Sequence, residues 1–150
     1  MDREKIVIFT KYLLDFMFYA GLIVEISLPY TLKLAGRYYS RDIGDNYIFM
    51  LIIFFISGVC GLVIIYQLRK MISTVIGRSC FVENNTKSLK AMGRVAFVIA
   101  ALFFVKMFIL PTPAGFIIII TFFIAGIFSH VLSLVFSEAI RYKEENDLTI

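Results

Sequence analysis

The chain has 150 residues, 60% of them hydrophobic, with sixteen Phe and no Trp, and its mean hydropathy is +0.88. Soluble domains are only about half apolar, so this composition excludes a water-soluble fold: too few polar side chains remain to cover an outside surface. A net charge of +4 would in a soluble protein suggest nucleic acid. Here most Lys and Arg lie between apolar segments, where they set topology and meet anionic headgroups, so direct nucleic-acid binding is not expected.

A spanning helix needs about 20 mostly apolar residues, and four stretches meet or approach that length. The first runs from about Ile6 to Leu28, where Pro29 is expected to stop it. The mixed-charge start from Met1 to Lys5, and the length of the run behind it, do not fit a cleaved secretory signal, so this segment is read as a retained helix. The second runs from about Tyr47 to Leu68, and Met71 to Ile76 prolong it until Gly77. The third is apolar from Val95 to Leu110, yet no breaker precedes Gly93, so its start is expected near Asn84 or Asn85, Asn being a good N-cap. Pro111-Thr112-Pro113-Ala114-Gly115 then makes a tight turn before a fourth helix beginning at Phe116. Proline lacks the N–H that a continuing helix needs and glycine tolerates reversal, so helices three and four form an antiparallel hairpin. The predicted fold is an all-α membrane protein, one domain with four transmembrane helices at about 6–28, 47–76, 84–110 and 116–142 in an up-down bundle within the lipid bilayer.

Orientation follows from the distribution of Lys and Arg. Arg3 and Lys5 at the start, Arg69, Lys70, Arg78, Lys87, Lys90 and Arg94 between helices two and three, and Arg141 and Lys143 in the tail put ten on one side, against Lys33, Arg37 and Arg41 on the other. This asymmetry places the N- and C-termini and the basic loop in the cytoplasm. The loop from Thr31 to Asn46 then faces outside, and Tyr30, Tyr38, Tyr39 and Tyr47 read first as interface anchors.

Ionisable side chains within a span are costly and mark functional candidates; here they are Lys11, Asp15, Glu25, Lys106 and His130. Lys11 and Asp15 are spaced i, i+4 and can pair on one helix face. At about 1.5 Å of rise per residue, Glu25 and Lys106 fall at similar heights near the outer ends of helices one and three. They are expected to face each other, because an unpaired charge there costs more than a paired one; the competing reading is that both snorkel to the interface. Asp15 and His130 share a depth in the other half and can hydrogen-bond. One His, the separated Cys60 and Cys80, and the lack of HExxH-type spacing give no disulfide framework, metal site or cofactor box. Small residues at Ser57, Gly58 and Gly61, at Ala96 and Ala100, and at Ala125, Gly126 and Ser129 mark where helices approach closely. Spacing leaves open whether they pack one chain or bring two together.

From Cys80 to Gly93 the chain reads Phe-x-x-Asn (Phe81 and Asn84), then a basic turn with Lys87 and Lys90, with Leu89 and Gly93. Together with the tail from Phe136 to Ile150, which ends Lys143-Glu144-Glu145-Asn146-Asp147-Leu148-Thr149-Ile150, this pattern resembles the YoaS-like family of small bacterial membrane proteins, a domain of unknown function. Family members often carry Pro before the Phe, where this chain has Cys80. The resemblance implies an integral protein of the bacterial cytoplasmic membrane, commonly encoded beside a small Xre/Cro-type helix-turn-helix regulator, and it brings no catalytic residues. Both motifs fall on the side that charge assigns to the cytoplasm. Phe81, Asn84, Lys87, Lys90, Glu145, Asp147 and Leu148 are therefore the candidate contacts for a cytoplasmic partner. The acidic tail, with its apolar Leu148 and Ile150, is expected either to dock on Lys87, Lys90 or Arg94 or to remain a solvated terminus.

The first functional expectation is a regulatory or signalling membrane subunit that engages such a helix-turn-helix regulator. The second is a small transporter, channel or permeability factor, assembled as a homo-oligomer around the intramembrane polar residues. An enzyme is not expected, and neither is a cofactor. Interfacial acyl or phosphoryl transfer needs a nucleophile beside a base, or paired carboxylates, whereas His130 stands alone, Cys60 lies in an apolar run and Ser79-Cys80 has no base next to it.

Overall fold

The computed structural model describes residues 3–149 and consists of α1 (Arg3–Tyr38), α2 (Arg41–Asp45), α3 (Tyr47–Ile76), α4 (Glu83–Ile109) and α5 (Pro113–Leu148). Met1, Asp2 and the last residue of the tail, Ile150, lie outside the described residues. Four of these helices, α1, α3, α4 and α5, are long and apolar enough to cross a membrane.

Pro29 does not end α1. A proline removes one N–H and leaves the carbonyl four residues earlier, that of Glu25, without its helical donor. Hydroxyls brace the backbone around this point: Ser27 Oγ donates to the Val24 carbonyl at 2.9 Å, and Thr31 Oγ1 donates to the carbonyls of Ser27 at 3.2 Å and Leu28 at 3.1 Å. Unwinding the chain within lipid would strand several backbone groups instead of one, so the helix continues. Its 36 residues extend about 54 Å, well beyond a hydrocarbon core of about 30 Å. The segment from Thr31 to Asn46, expected as a loop, is thus mostly the end of α1 followed by α2. Gly36 and Gly44 let these two helices meet backbone to backbone: a Cβ on Gly36 would lie 3.0 Å from the Gly44 Cα.

The other boundaries also move for local reasons. Thr112 caps α5, its Oγ1 accepting from the Gly115 N–H at 3.2 Å, with Pro113 opening the helix, a position where a missing N–H costs nothing. α5 therefore begins three residues before Phe116 and carries the tail as helix to Leu148. α4 starts at Glu83, and its cap residue, Val82, makes no side-chain bond. Neither Asn84 nor Asn85 is the cap.

The spans alternate in direction, as predicted. They pack as an open row: α1 on α3, α3 on α4 and α4 on α5, with no contact between α1 and α5. Most buried apolar residues, among them Leu89, Met92, Ala96, Ile99, Ala100 and Phe103, belong to α4. α1 and α5, each with one long neighbour, turn most of their apolar side chains outward, where lipid is the matching solvent.

Candidate functional site

Asp15 is paired, but across helices. Arg69 Nε on α3 donates to Asp15 Oδ1 at 2.6 Å, and the Arg69 guanidinium also lies 4.8 Å from the centre of the Phe18 ring. The i, i+4 partner expected for Asp15, Lys11, is instead exposed and lines a groove of about 460 Å³ with Lys70 and Ser73. In the distribution of Lys and Arg, Arg69 reads as a topology marker. Its position at the end of an apolar run, opposite an intramembrane carboxylate, is the sequence signal for the pair.

Glu25 and Lys106 do not face each other. They sit on α1 and α4, which do not touch because α3 lies between them. Lys106 is only 4% exposed, and its Nζ donates to Thr112 Oγ1 at 2.9 Å and to the Leu110 carbonyl at 3.4 Å. A cation at the C-terminal end of a helix meets unsatisfied carbonyls, so Lys106 neither pairs with Glu25 nor snorkels but clamps the α4–α5 turn. Glu25 rests on α3 directly over Gly58, where any Cβ would collide with the carboxylate. Among the described residues, Glu25 Oε1 and Ser57 Oγ are buried without a hydrogen-bond partner.

His130 does not reach Asp15. It lies on the outermost helix α5 with its side chain exposed, and two helices separate it from α1. Of the small residues, Gly126 forms the close crossing of α5 with α4. Its carbonyl would stand 3.1 Å from a Cβ on Gly93, and the Phe97 ring covers Gly126 itself. Gly61 faces open space and Ala125 is exposed, so neither serves packing within the chain.

At the end that bears the N- and C-termini, the helices run beyond their apolar parts. Past Arg69, α3 continues for about two turns, and past Glu138, α5 continues for about three. Asn85, 2% exposed, locks the connection between α3 and α4: its Nδ2 donates to Thr74 Oγ1 and to the Cys80 carbonyl, both at 2.7 Å. Phe81 packs on Phe136 of α5 with ring centres 5.2 Å apart, yet is 48% exposed. Asn84 is exposed and Lys90 is half-buried. Among the described residues, the tail makes no ion pair with the basic loop. Glu145 pairs with Arg141 of its own helix at 3.6 Å and Lys87 with Glu83 at 3.0 Å, while Asp147 and Leu148 stay exposed on the last turn of α5. Between the two motifs, among the described residues, Phe81 and Phe136 are brought into ring contact. Asn85, considered only as a cap, is the organising residue, because its amide can serve a side chain and a carbonyl at once.

No curated protein and no solved structure matches the chain. A family profile described as "Protein of unknown function (DUF2975)" matches residues 10–150, which include α3, α4, α5 and most of α1. The chain belongs to this uncharacterised family.

Proposed function

We propose that the protein is a regulatory subunit of the bacterial cytoplasmic membrane, without catalytic chemistry of its own, which engages a soluble helix-turn-helix regulator on the side of its termini. That side is cytoplasmic by the distribution of Lys and Arg. The observation that carries this reading is the helical platform at that end. Phe81 is held by Phe136 but half-exposed, and the acidic last turns of α5 project beside it on a continuous helix. An exposed aromatic on a rigid support, flanked by both signs of charge, suits recognition of a protein surface. The regulator class comes from the likeness to the YoaS-like family.

The test is affinity purification of the tagged protein from native membranes in mild detergent, with mass spectrometry of the eluate. A helix-turn-helix protein should co-purify and should be lost on Phe81→Ala or on truncation before Asn146. An eluate without it, from intact protein, sinks the reading. The second reading, an oligomeric transporter or channel, draws on the open row: α1 and α5 each leave a long flank free, so a second copy has surface to join. It predicts stable oligomers and a flux sensitive to Glu25→Gln or His130→Ala.

A further inference from the structure

The α1–α3 seam holds a carboxylate without a cation. Glu25 belongs to an apolar span, sits on Gly58 and buries Oε1 without a partner among the described residues; Ser57 Oγ, one residue from Gly58, is likewise buried and unpartnered. Pro29 leaves the Glu25 backbone carbonyl without its helical donor, so a third acceptor belongs to the same turn of α1. The neighbouring charges are engaged or distant: Lys33, eight residues further along α1, sets its Nζ 5.8 Å from the centre of the Tyr47 ring on α3. Asp15 and Arg69 hold each other about 15 Å further along α1, and Lys106 is bound at the α4–α5 turn. The other titratable groups of α3 are Tyr47, whose hydroxyl donates to the Pro29 carbonyl at 3.2 Å, Cys60, Tyr66 and Lys70. α2 meets α1 at Gly36, eleven residues past Glu25, and brings Arg41, Asp42 and Asp45.

We infer that Glu25 is a membrane-embedded proton-binding site: its carboxyl, seated on Gly58, carries a proton while α1 and α3 are packed and releases it when the seam admits water. Left without a partner, a neutral carboxylic acid forgoes a hydrogen bond but carries no charge into lipid. A carboxylate in the same place would need a cation or hydration. Hard metal cations gather about six oxygen ligands, more than one carboxyl, one hydroxyl and one carbonyl supply, so the proton is the ligand that fits. Gly58 is the enabling residue, since any side chain there would evict the carboxyl. This site is independent of the regulator reading.

The test is labelling of the full chain in phosphatidylcholine vesicles with a hydrophobic carbodiimide, followed by peptide mapping. The carboxyl proton passes to a carbodiimide nitrogen, the carboxyl oxygen bonds to the central carbon, and the O-acylisourea rearranges to a stable N-acylurea. The adduct should form on Glu25 at a neutral pH that leaves the exposed Glu144 and Glu145 unlabelled, fall as pH rises, and be unaffected by sodium chloride at fixed pH. Glu25→Gln should abolish it, and Gly58→Ala should reduce Glu25 to the behaviour of the tail carboxylates. No adduct on Glu25, or a pH dependence equal to that of the tail, overturns the proposal; suppression by sodium at fixed pH overturns it in favour of a metal-cation site.

Discussion

The two outer seams of the row are built on different physics. Between α4 and α5 the contact is close and almost free of charge: Gly93 meets the Gly126 carbonyl, and Phe97 fills the space over Gly126. Between α1 and α3 the same chain uses an ion pair, Asp15 with Arg69, and a carboxyl seated on Gly58. Lipid gives helices no hydrophobic reason to associate, so a seam must rely on tight packing or on polar groups that lipid cannot satisfy. A tight seam has one good arrangement, whereas a polar seam can be weakened by protonation or water. The α1–α3 seam is therefore the one suited to change state, and the α4–α5 hairpin the one suited to remain fixed.

The largest expected effect tests the fixed seam. Gly93→Val should destabilise by about 3 kcal/mol, the upper end for overpacking, because its Cβ meets the Gly126 carbonyl, a backbone atom that cannot swing aside. Gly126→Ala should cost only about 1 kcal/mol, since the obstacle there is the partly exposed Phe97 ring. Thermal unfolding in mild detergent compares them, and equal losses would mean that the crossing is not limited by backbone contact. On the polar seam, Arg69→Met should cost about 2 kcal/mol, between the values for exposed and buried pairs. Adding Asp15→Asn should recover part of it; if the double variant loses the sum of both singles, the pair is not what joins α1 to α3. Asn85→Ala should cost about 1–2 kcal/mol for its buried hydrogen bonds, and hydrogen exchange should quicken across residues 77–82 while the half of α4 nearer Ile109 is unchanged.

The spans and their alternation were legible in the sequence because about 20 apolar residues and a Pro-Gly turn leave few alternatives in lipid. Pro29 was misleading. A proline forfeits one hydrogen bond, but within a bilayer that is cheaper than ending the helix, and Ser27 and Thr31 brace the site. The pairings failed for another reason. Depth along a helix can be counted, so the heights of Asp15, Glu25, Lys106 and His130 were available, but which helices are neighbours depends on the order of the helices in the row. That depends on contacts such as Gly93 on Gly126, which spacing marks only as small residues. The Asn85 lock was hidden because its partners, Thr74 and the Cys80 carbonyl, come together only once α3 and α4 are antiparallel.

One of the smallest expected effects concerns the link between the two seams. After α3, the Arg78 N–H donates to the Val75 carbonyl and the Ser79 N–H to the Thr74 carbonyl, a helix ending whose residue after the cap adopts the left-handed conformation and is usually Gly. Here that residue is Arg78, at φ 58°, while Gly77 stands one position early at the cap with φ −72°. A side chain in this conformation costs about 1–2 kcal/mol, and the exposed contact of Arg78 with Glu4, at 3.9 Å, returns well under about 1 kcal/mol. Exchanging the two, Gly77→Ala with Arg78→Gly, leaves the number of glycines and thus the unfolded-chain entropy nearly unchanged. It should raise stability by about 1 kcal/mol, read as a higher midpoint of thermal unfolding. A gain would mean that the chain keeps Arg78 against its own stability, as expected of a cation that lines the α1–α3 groove with Arg3 and Val75 for contact with headgroups or a partner. No gain would mean that the arginine offsets its strain within the fold, and the groove would lose its claim to an external ligand.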